Sequence, residues 1–229
     1  AALSLDLILG FGGMISLGHA AYLGIGAYAV GILSFYGINN AWLQLPLAIF
    51  GSAIVAFIIG VICLRTSGIY FIMITLAMTQ LLFFLGISLE TYGGDDGLPI
   101  DRSIFVESFD LGEETNLYYL IFTFLLITTF ISWRLINSRF GMVIRGAQEN
   151  ETRMHAIGFS TFRYKLLAFM IAGSMCGLSG FLLANLTEFV TPEFMHWFRS
   201  GEIMIMVLVG GMGTLFGPIF GAAAYLLFE

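Results

Sequence analysis

Residues 43–64 read LQLPLAIFGSAIVAFIIGVICL and contain no Asp, Glu, Lys or Arg. A helix rises 1.5 Å per residue and a bilayer core is roughly 30 Å thick, so about 20 apolar residues make a spanning helix. This run satisfies that ruler by itself. Working outward, Ile69–Leu89, Leu117–Leu135 and Tyr164–Leu186 satisfy it too, and Ala20–Tyr36 is nearly as long. Ala1–Phe11 reads as the tail of a helix, Leu215–Phe228 as a further apolar helix, and Glu202–Val209 as too short to cross. Glycine-rich breaks fall at Gly12–Gly18 and Gly210–Gly213. The expected fold class is all-α. It is a polytopic transmembrane helical bundle with glycine-broken helices and about six to eight membrane segments, forming one transmembrane domain over residues 1–229. Because the chain opens and stops inside apolar runs, it reads as an excerpt of a longer one, truncated at both ends.

Composition agrees. The 229 residues are 59% hydrophobic and 10% charged, and this much apolar surface has to face lipid or other membrane helices. A net charge of −6 argues against a nucleic-acid partner. Cys63 and Cys176 lie inside apolar runs and read as small core hydrophobes, not a disulfide.

Charge also orients the bundle. Residues 134–165 hold Arg134, Arg139, Arg145, Arg153, Arg163 and Lys165, six of the nine basic residues. Residues 90–116 hold eight of the fifteen acidic ones, among them Asp95, Asp96, Glu107 and Glu113, against Arg102 alone. The positive-inside rule places loop 134–165 in the cytoplasm and therefore loop 90–116, one span away, outside. Arg65 then falls inside as well.

Four features carry chemistry. Irregular backbone at membrane depth persists only when buried in protein or lining a wet cavity, so the Gly12–Gly18 break points to a pathway-lining element with Ser16 and His19 supplying hydrogen bonds. The competing reading is close helix packing through small residues. Thr75, Thr79 and Gln80 share one span; Thr75 and Gln80 are candidates to line a path, while Thr79 fits helix–helix bonding better. Asp6 and Glu202 are carboxylates in or beside apolar runs, with Glu202 near the interfacial Trp197. From Gly141 to Ile157 the pattern is one amphipathic helix. Val143, Ala147, Met154 and Ile157 form its stripe, Arg145, Glu149 and Arg153 a possible ion-pair ladder, and Gly158 its stop. Its mixed charge suits a protein partner better than a lipid surface, with a solvated connector as the alternative.

Gly12–Leu17 (GGMISL) resembles Gly210–Leu215 (GGMGTL), a possible internal repeat with glycine breaks at matching places. Gly213, Gly217 and Gly221 space as a GxxxGxxxG packing row, and Gly173 and Gly177 as a second. No GxxxxGK[ST], HExxH, Cys/His cluster or GxSxG occurs, so the sequence offers no ATP site, metal site or catalytic residue.

Taken together, several stretches resemble the permeases of branched-chain amino acid ABC importers. They are Gly13–Tyr28 (GMISLGHAAYLGIGAY), Leu64–Phe71 (LRTSGIYF), Tyr92–Leu98 (YGGDDGL), Arg139–Gly158 with Tyr164–Phe169, Ser200–Glu202 and Gly210–Pro218. The resemblance covers essentially the whole chain. It is closer to the LivM-type subunit than to its LivH-type partner, a distinction carried by the Gly93-Gly94 loop and Glu149-Asn150-Glu151. It implies a multi-pass, non-enzymatic subunit of the bacterial inner (plasma) membrane. The implied partners are membrane lipid, a LivH-type second permease subunit, two ATP-binding subunits and a periplasmic or extracellular solute-binding protein. No cofactor is implied on this chain, ATP being held by the partner subunits.

By the same resemblance, Arg145, Glu149, Asn150, Glu151, Arg153 and Gly158 form the ATPase-coupling loop. Gly146, Ala147 and Gln148 depart from the family core Ala-Ile-Arg and blunt its basic character. The candidate translocation pathway comprises Ser16, His19, Thr75, Gln80, Gly211, Gly213 and Thr214. The implied solute is a branched-chain or related hydrophobic amino acid, with urea, amides or aromatic acids as alternatives. A different class, an ion-coupled secondary transporter, would use Asp6, Glu202 or His19. The orientation is checked directly: a cysteine at Asn137 is expected to react with a membrane-impermeant thiol reagent only from inside the cell, and one at Asp95 only from outside.

Overall fold

A computed structural model describes residues 1–106, 109–110 and 114–228. The ten α-helices among the described residues are α1 (Ala2–Leu9), α2 (His19–Phe35), α3 (Ala41–Cys63), α4 (Ile69–Ser88), α5 (Glu114–Ile136), α6 (Arg139–Glu149), α7 (Glu151–Ala156), α8 (Thr161–Thr187), α9 (Trp197–Gly210) and α10 (Gly217–Phe228). Four of them, α3, α4, α5 and α8, are long and apolar enough to cross a membrane. The short α1, α2, α9 and α10 complete the bundle. The Glu202–Val209 run lengthens into α9 because Trp197 to Gly201 join it; His196 caps it by accepting from Phe198 N–H at 3.4 Å.

Between helices in lipid there is no hydrophobic drive, so association depends on close van der Waals approach. The central helix α8 shows how the sequence supplies it. Gly173 and Gly177 face Ala48, Ser52 and Ala56 of α3, all three of them fully buried. A Cβ at Gly177 would meet Ser52 Oγ and the Ala48 carbonyl. On α2, Gly26 lies against the Gly177 backbone, and Gly180 lies against the Leu23 carbonyl. Polar bonds pin the same seam: Ser52 Oγ donates to the Tyr22 carbonyl at 3.2 Å and Cys176 Sγ to the His19 carbonyl at 3.3 Å. Cys63 and Cys176 are both buried and free.

The second glycine row differs from its sequence spacing. Gly213 lies outside α10, in a turn with φ +73°, so no three-glycine helix face exists there. Gly217 and Gly221 instead pack on Gly210 and Met206 of α9, closing an α9–α10 hairpin.

One end of the bundle carries the acidic loop. There β1 (Leu98–Pro99) pairs antiparallel with β4 (Phe189–Val190), and β2 (Ile104–Val106) pairs with β3 (Phe109–Asp110). Arg102 pairs with Glu188 at 2.7 Å, and Ser103 N–H donates to Asn185 Oδ1 at 2.8 Å. Ser103 Oγ donates to Gln44 Oε1, whose amide donates in turn to the Ile38 carbonyl at 2.8 Å. This buried polar set fastens the loop to α3 and α8. Glu107 and Glu113, counted in the acidic loop, lie outside the described residues. The opposite end carries loop 134–165, with Arg65 beside it. Exposed apolar side chains line the flanks between the two ends, such as Leu47, Phe50 and Ile54 on α3 and Phe122, Leu126 and Phe130 on α5. The membrane-spanning character is plain in this surface.

The packing seam makes a paired prediction. Gly177→Ala is expected to destabilise the protein by about 1–3 kcal/mol through overpacking. Gly51→Ala, whose nearest new neighbour is 3.9 Å away, is expected to be neutral or to stabilise by up to about 1 kcal/mol. Denaturation midpoints in detergent measure both.

Candidate functional site: a glycine turn seated on the basic-loop helix

Loop 134–165 forms two helices where the sequence pattern predicted one. Ser138 starts α6, its Oγ accepting from Gly141 N–H at 3.4 Å. Asn150 ends it: its backbone turns extended (φ −157°, ψ 99°), and its side chain accepts from Arg153 N–H at 2.9 Å, which caps α7. Asn prefers such caps because its side chain competes with the helix for backbone groups. Gly158 stops α7 as expected, with φ +97°. Its N–H donates to the His155 carbonyl and that of Phe159 to the Met154 carbonyl, the paired bonds of a Schellman motif.

The elbow at Asn150 corrects two other expectations. The Arg145–Glu149–Arg153 ladder does not form, since its third member sits on a different helix. Arg145 instead donates to the Ile136 carbonyl and stacks over the Phe11 ring, 5.7 Å from its centroid. The apolar stripe also splits. Val143 and Ala147 pack inward with Ile144, Met154 lies against Gly146, and Ile157 is 64% exposed. Glu149, Asn150, Glu151 and Arg153 are all exposed on the elbow.

Glu151 holds the elbow to α8, accepting from Thr161 Oγ1 and Lys165 Nζ, each at 2.8 Å. Partial burial pushes its carboxyl upward, but those two bonds and the positive fields of Lys165 and His155 outweigh that and hold it below its ordinary value.

Beside α6 the chain breaks between α1 and α2. Gly13 turns with φ +65°, where a side chain would be strained. Its Cα faces the side chain of Gln148 on α6, whose Nε2 donates to the Gly10 carbonyl at 3.4 Å. Beyond the turn, residues 14–18 run without regular structure, yet side chains meet their backbone groups. Leu17 N–H donates to Thr75 Oγ1 and its carbonyl accepts from Thr79 Oγ1, both at 3.3 Å. Gly18 N–H donates to Ser16 Oγ at 3.1 Å, and Ala20 N–H to Ser200 Oγ of α9 at 2.9 Å.

The candidate pathway residues fall into three places. Ser16 and Thr75 are fully buried and spent on bracing the break, and His19 is buried beside them, edge-on to Tyr22 at 5.7 Å. Neither ring nitrogen of His19 meets a hydrogen-bond partner among the described residues. Gly211, Gly213 and Thr214 form the α9–α10 turn; Thr214 is exposed and donates to the Gly211 carbonyl at 2.8 Å. Gln80 joins neither group, standing one residue past Thr79 and hence roughly 100° round the helix. The two turns do touch. Gly213 N–H donates to Asp6 Oδ1 at 2.8 Å, and Gly10 packs directly on the Gly213 backbone. The two similar hexapeptides also sit alike, each following a helix and turning at its second glycine, Gly13 or Gly211, with positive φ.

A cavity of about 540 Å³ opens at this end of the bundle, lined by Gly12–Ile15, Leu64–Gly68, Gln148, Glu151 and Lys165. Among the described residues no three His, Cys, Asp or Glu side chains gather as metal ligands. Gln148, Phe11 and Ser200 escaped the sequence reading. Gln148 left a trace as a departure from the family pattern and Ser200 as part of the Ser200–Glu202 stretch, whereas Phe11 showed only as the end of an apolar run.

Lipid-facing long helices, glycine turns over a polar cleft and an outward-facing loop helix define an integral-membrane protein of the permease type. Residues 1–229 match the family described as the branched-chain amino acid transport system / permease component, and the chain belongs to that family. It is 29% identical, over 96% of its length, to the high-affinity branched-chain amino acid transport system permease protein LivM of Salmonella typhimurium, and covers 57% of that protein. It is 23% identical over 99% of its length to the probable LivM permease of Methanocaldococcus jannaschii, covering 75% of it. The autoinducer 2 import system permease protein LsrC of Escherichia coli is 26% identical over 82% of this chain and 48% of its own. The chain thus spans little more than half the length of the LivM relatives from Salmonella typhimurium and Escherichia coli. No solved structure matches it.

The Glu151 bonds predict a pH dependence. A carboxyl held low in the folded loop stabilises it above the unfolded value and loses that contribution as pH falls through the folded one. Hydrogen-exchange protection of α7 is therefore expected to hold from neutral pH down through the ordinary glutamate value of 4.5 and to fall only below it. Glu151→Gln should show lower protection at neutral pH and no such fall.

Proposed function

We propose that this chain is the membrane-spanning part of a permease subunit in an ATP-driven ABC importer of branched-chain or related hydrophobic amino acids. It would work in the bacterial inner membrane beside a LivH-type second permease subunit, with two ATP-binding subunits inside and a solute-binding protein outside. The observation that carries the reading is the elbow of α6 and α7. It lies at the basic end, it presents Glu149, Asn150, Glu151 and Arg153 with exposed Met142 and Ile157, and its inner face touches the glycine turn.

The parts divide the work as follows. ATP binding and hydrolysis belong to the partner subunits, and this chain performs no covalent chemistry. Closure of those subunits presses on the elbow, which is rigidly capped at Ser138, Asn150 and Gly158 and so moves as a lever without melting. The glycine turn it touches changes the opening of the cleft lined by Gly12–Ile15 and Leu64–Gly68. Solute released from the external protein crosses between the two permease subunits and leaves through that cleft on the cytoplasmic side.

Two observations favour this over ion-coupled transport. Asp6 is engaged by the Gly213 N–H, and Glu202 by Arg199 at 2.9 Å, so neither carboxylate stands free for an ion. The solute itself rests on the branched-chain relatives. LsrC is named for a different solute on a similar frame, which supports selection mainly by the external binding protein.

Copurification of two ATP-binding subunits with the intact permease is the first test, and uptake that survives ATP depletion would sink the reading. Glu149→Arg is expected to lower ATPase association and uptake by about tenfold, the equivalent of one lost charged contact. Cysteines at Ile15 and Ser67 should react with aqueous thiol reagents at rates that change with nucleotide state. Unreactive thiols throughout the cycle would remove the cleft from the path.

A further inference from the structure

Asp6 is a carboxylate 2% exposed in an apolar helix, and ionisable groups buried among membrane helices usually mark a proton or ion pathway. Its surroundings point elsewhere. Its Oδ1 accepts from the Gly213 N–H, and the residue between them in space is Gly10, whose own backbone packs on Gly213. Gly10 has ordinary helical angles (φ −71°, ψ −47°), so glycine is needed there for room, not for conformation. A Cβ at that position would collide with Asp6 Oδ1 and the Gly213 backbone. The Gly10 carbonyl faces the other way and accepts from Gln148 of α6, and Phe11 lies under Arg145 of the same helix. A single short stretch, Gly10–Gly13, is thus held on one side by the loop helix and on the other by the α9–α10 turn.

We infer that Asp6 is a positioning residue: it pins the α1–α2 turn to the α9–α10 turn, so that both move with α6 as one body when the loop is pushed. This inference rests on the proposed ATP-driven reading. It requires the oxygen acceptor of Asp6 and not its negative charge. A buried hydrogen bond from a backbone amide resists separation of the two turns, and loss of its oxygen acceptor leaves the Gly213 N–H unsatisfied.

The test uses the complete importer, reconstituted in liposomes with its ATP-binding subunits and binding protein. Asp6→Ala and Gly10→Ala are expected to keep ATP hydrolysis while solute moved per ATP falls by about tenfold. Asp6→Asn, which retains Oδ1 but no charge, is expected to restore wild-type coupling. Loss in Asp6→Asn equal to that in Asp6→Ala would overturn the inference in favour of a titrating carboxylate, as would unchanged coupling in both alanine variants.

A second measurement covers variants that fail to assemble. Spin labels at the exposed Ile15, Met142 and Met212 of the wild type should keep their mutual distances between ATP-free and ATP-bound states while all shift relative to Phe57 on α3. Changed mutual distances, or no shift relative to α3, would overturn the inference. If instead no ATP-binding subunit associates with the wild-type protein, the proposed function fails and this step is not its cause.

Discussion

An unpaired peptide N–H or carbonyl in hydrocarbon costs several kcal/mol, and this constraint governs the molecule wherever a helix is broken. The segment from Gly12 to Gly18 sits on that constraint. At its end the Leu17 peptide groups are met by Thr75 and Thr79 of α4 and the Gly18 N–H by Ser16 within the break, while Ser200 of α9 meets the Ala20 N–H in the first turn of α2. Those four side chains tie α4 and α9 to the start of α2. The break therefore acts as a junction, and the helices around it are placed by the need to satisfy it.

The small-residue seam makes this junction possible. Gly173, Gly177 and Gly180 let α8 approach both α2 and α3 closely enough that their backbones come into contact. With α8 fixed, α2 is held along its length and its first turn stays in reach of Ser200. The acidic end uses a different device, a buried set of Gln44, Ser103 and Asn185 that holds a loop instead of a helix. Close backbone contact is thus concentrated where α2, α3 and α8 meet, whereas α6 meets the α1–α2 turn through the 3.4 Å Gln148–Gly10 bond and the Arg145–Phe11 contact. On the proposed reading this contrast suits the work, because movable parts are drawn from the less extensive contacts.

Much of this was legible in the residues. The four long spans, the stop at Gly158 and the buried cysteines follow from local rules of length, propensity and burial. The roles of Ser16, Thr75 and Thr79 were less so. Ser16 stood in a glycine break and Thr75 on an apolar span, where a solute path and a brace both fit, and Thr79 alone leaned towards helix bonding. Only the position of Leu17 opposite α4 assigned them to bracing. The single helix expected over 141–157 failed at Asn150, since a continuous apolar stripe outweighed one capping residue in the pattern, while in the fold the cap wins.

Family membership, the all-α spanning architecture and the charge asymmetry between the two loops were determined by the sequence alone, because each depends on composition and short-range order. The meeting of Gly10 with Gly213, the capture of Asp6 by a backbone amide, and the seating of Gln148 and Arg145 on the glycine turn were decided only in three dimensions. Asp6 and Gly213 lie at opposite ends of the chain, and no local rule of helix length or glycine spacing brings them together. Their contact depends on how α8 packs the helices between them.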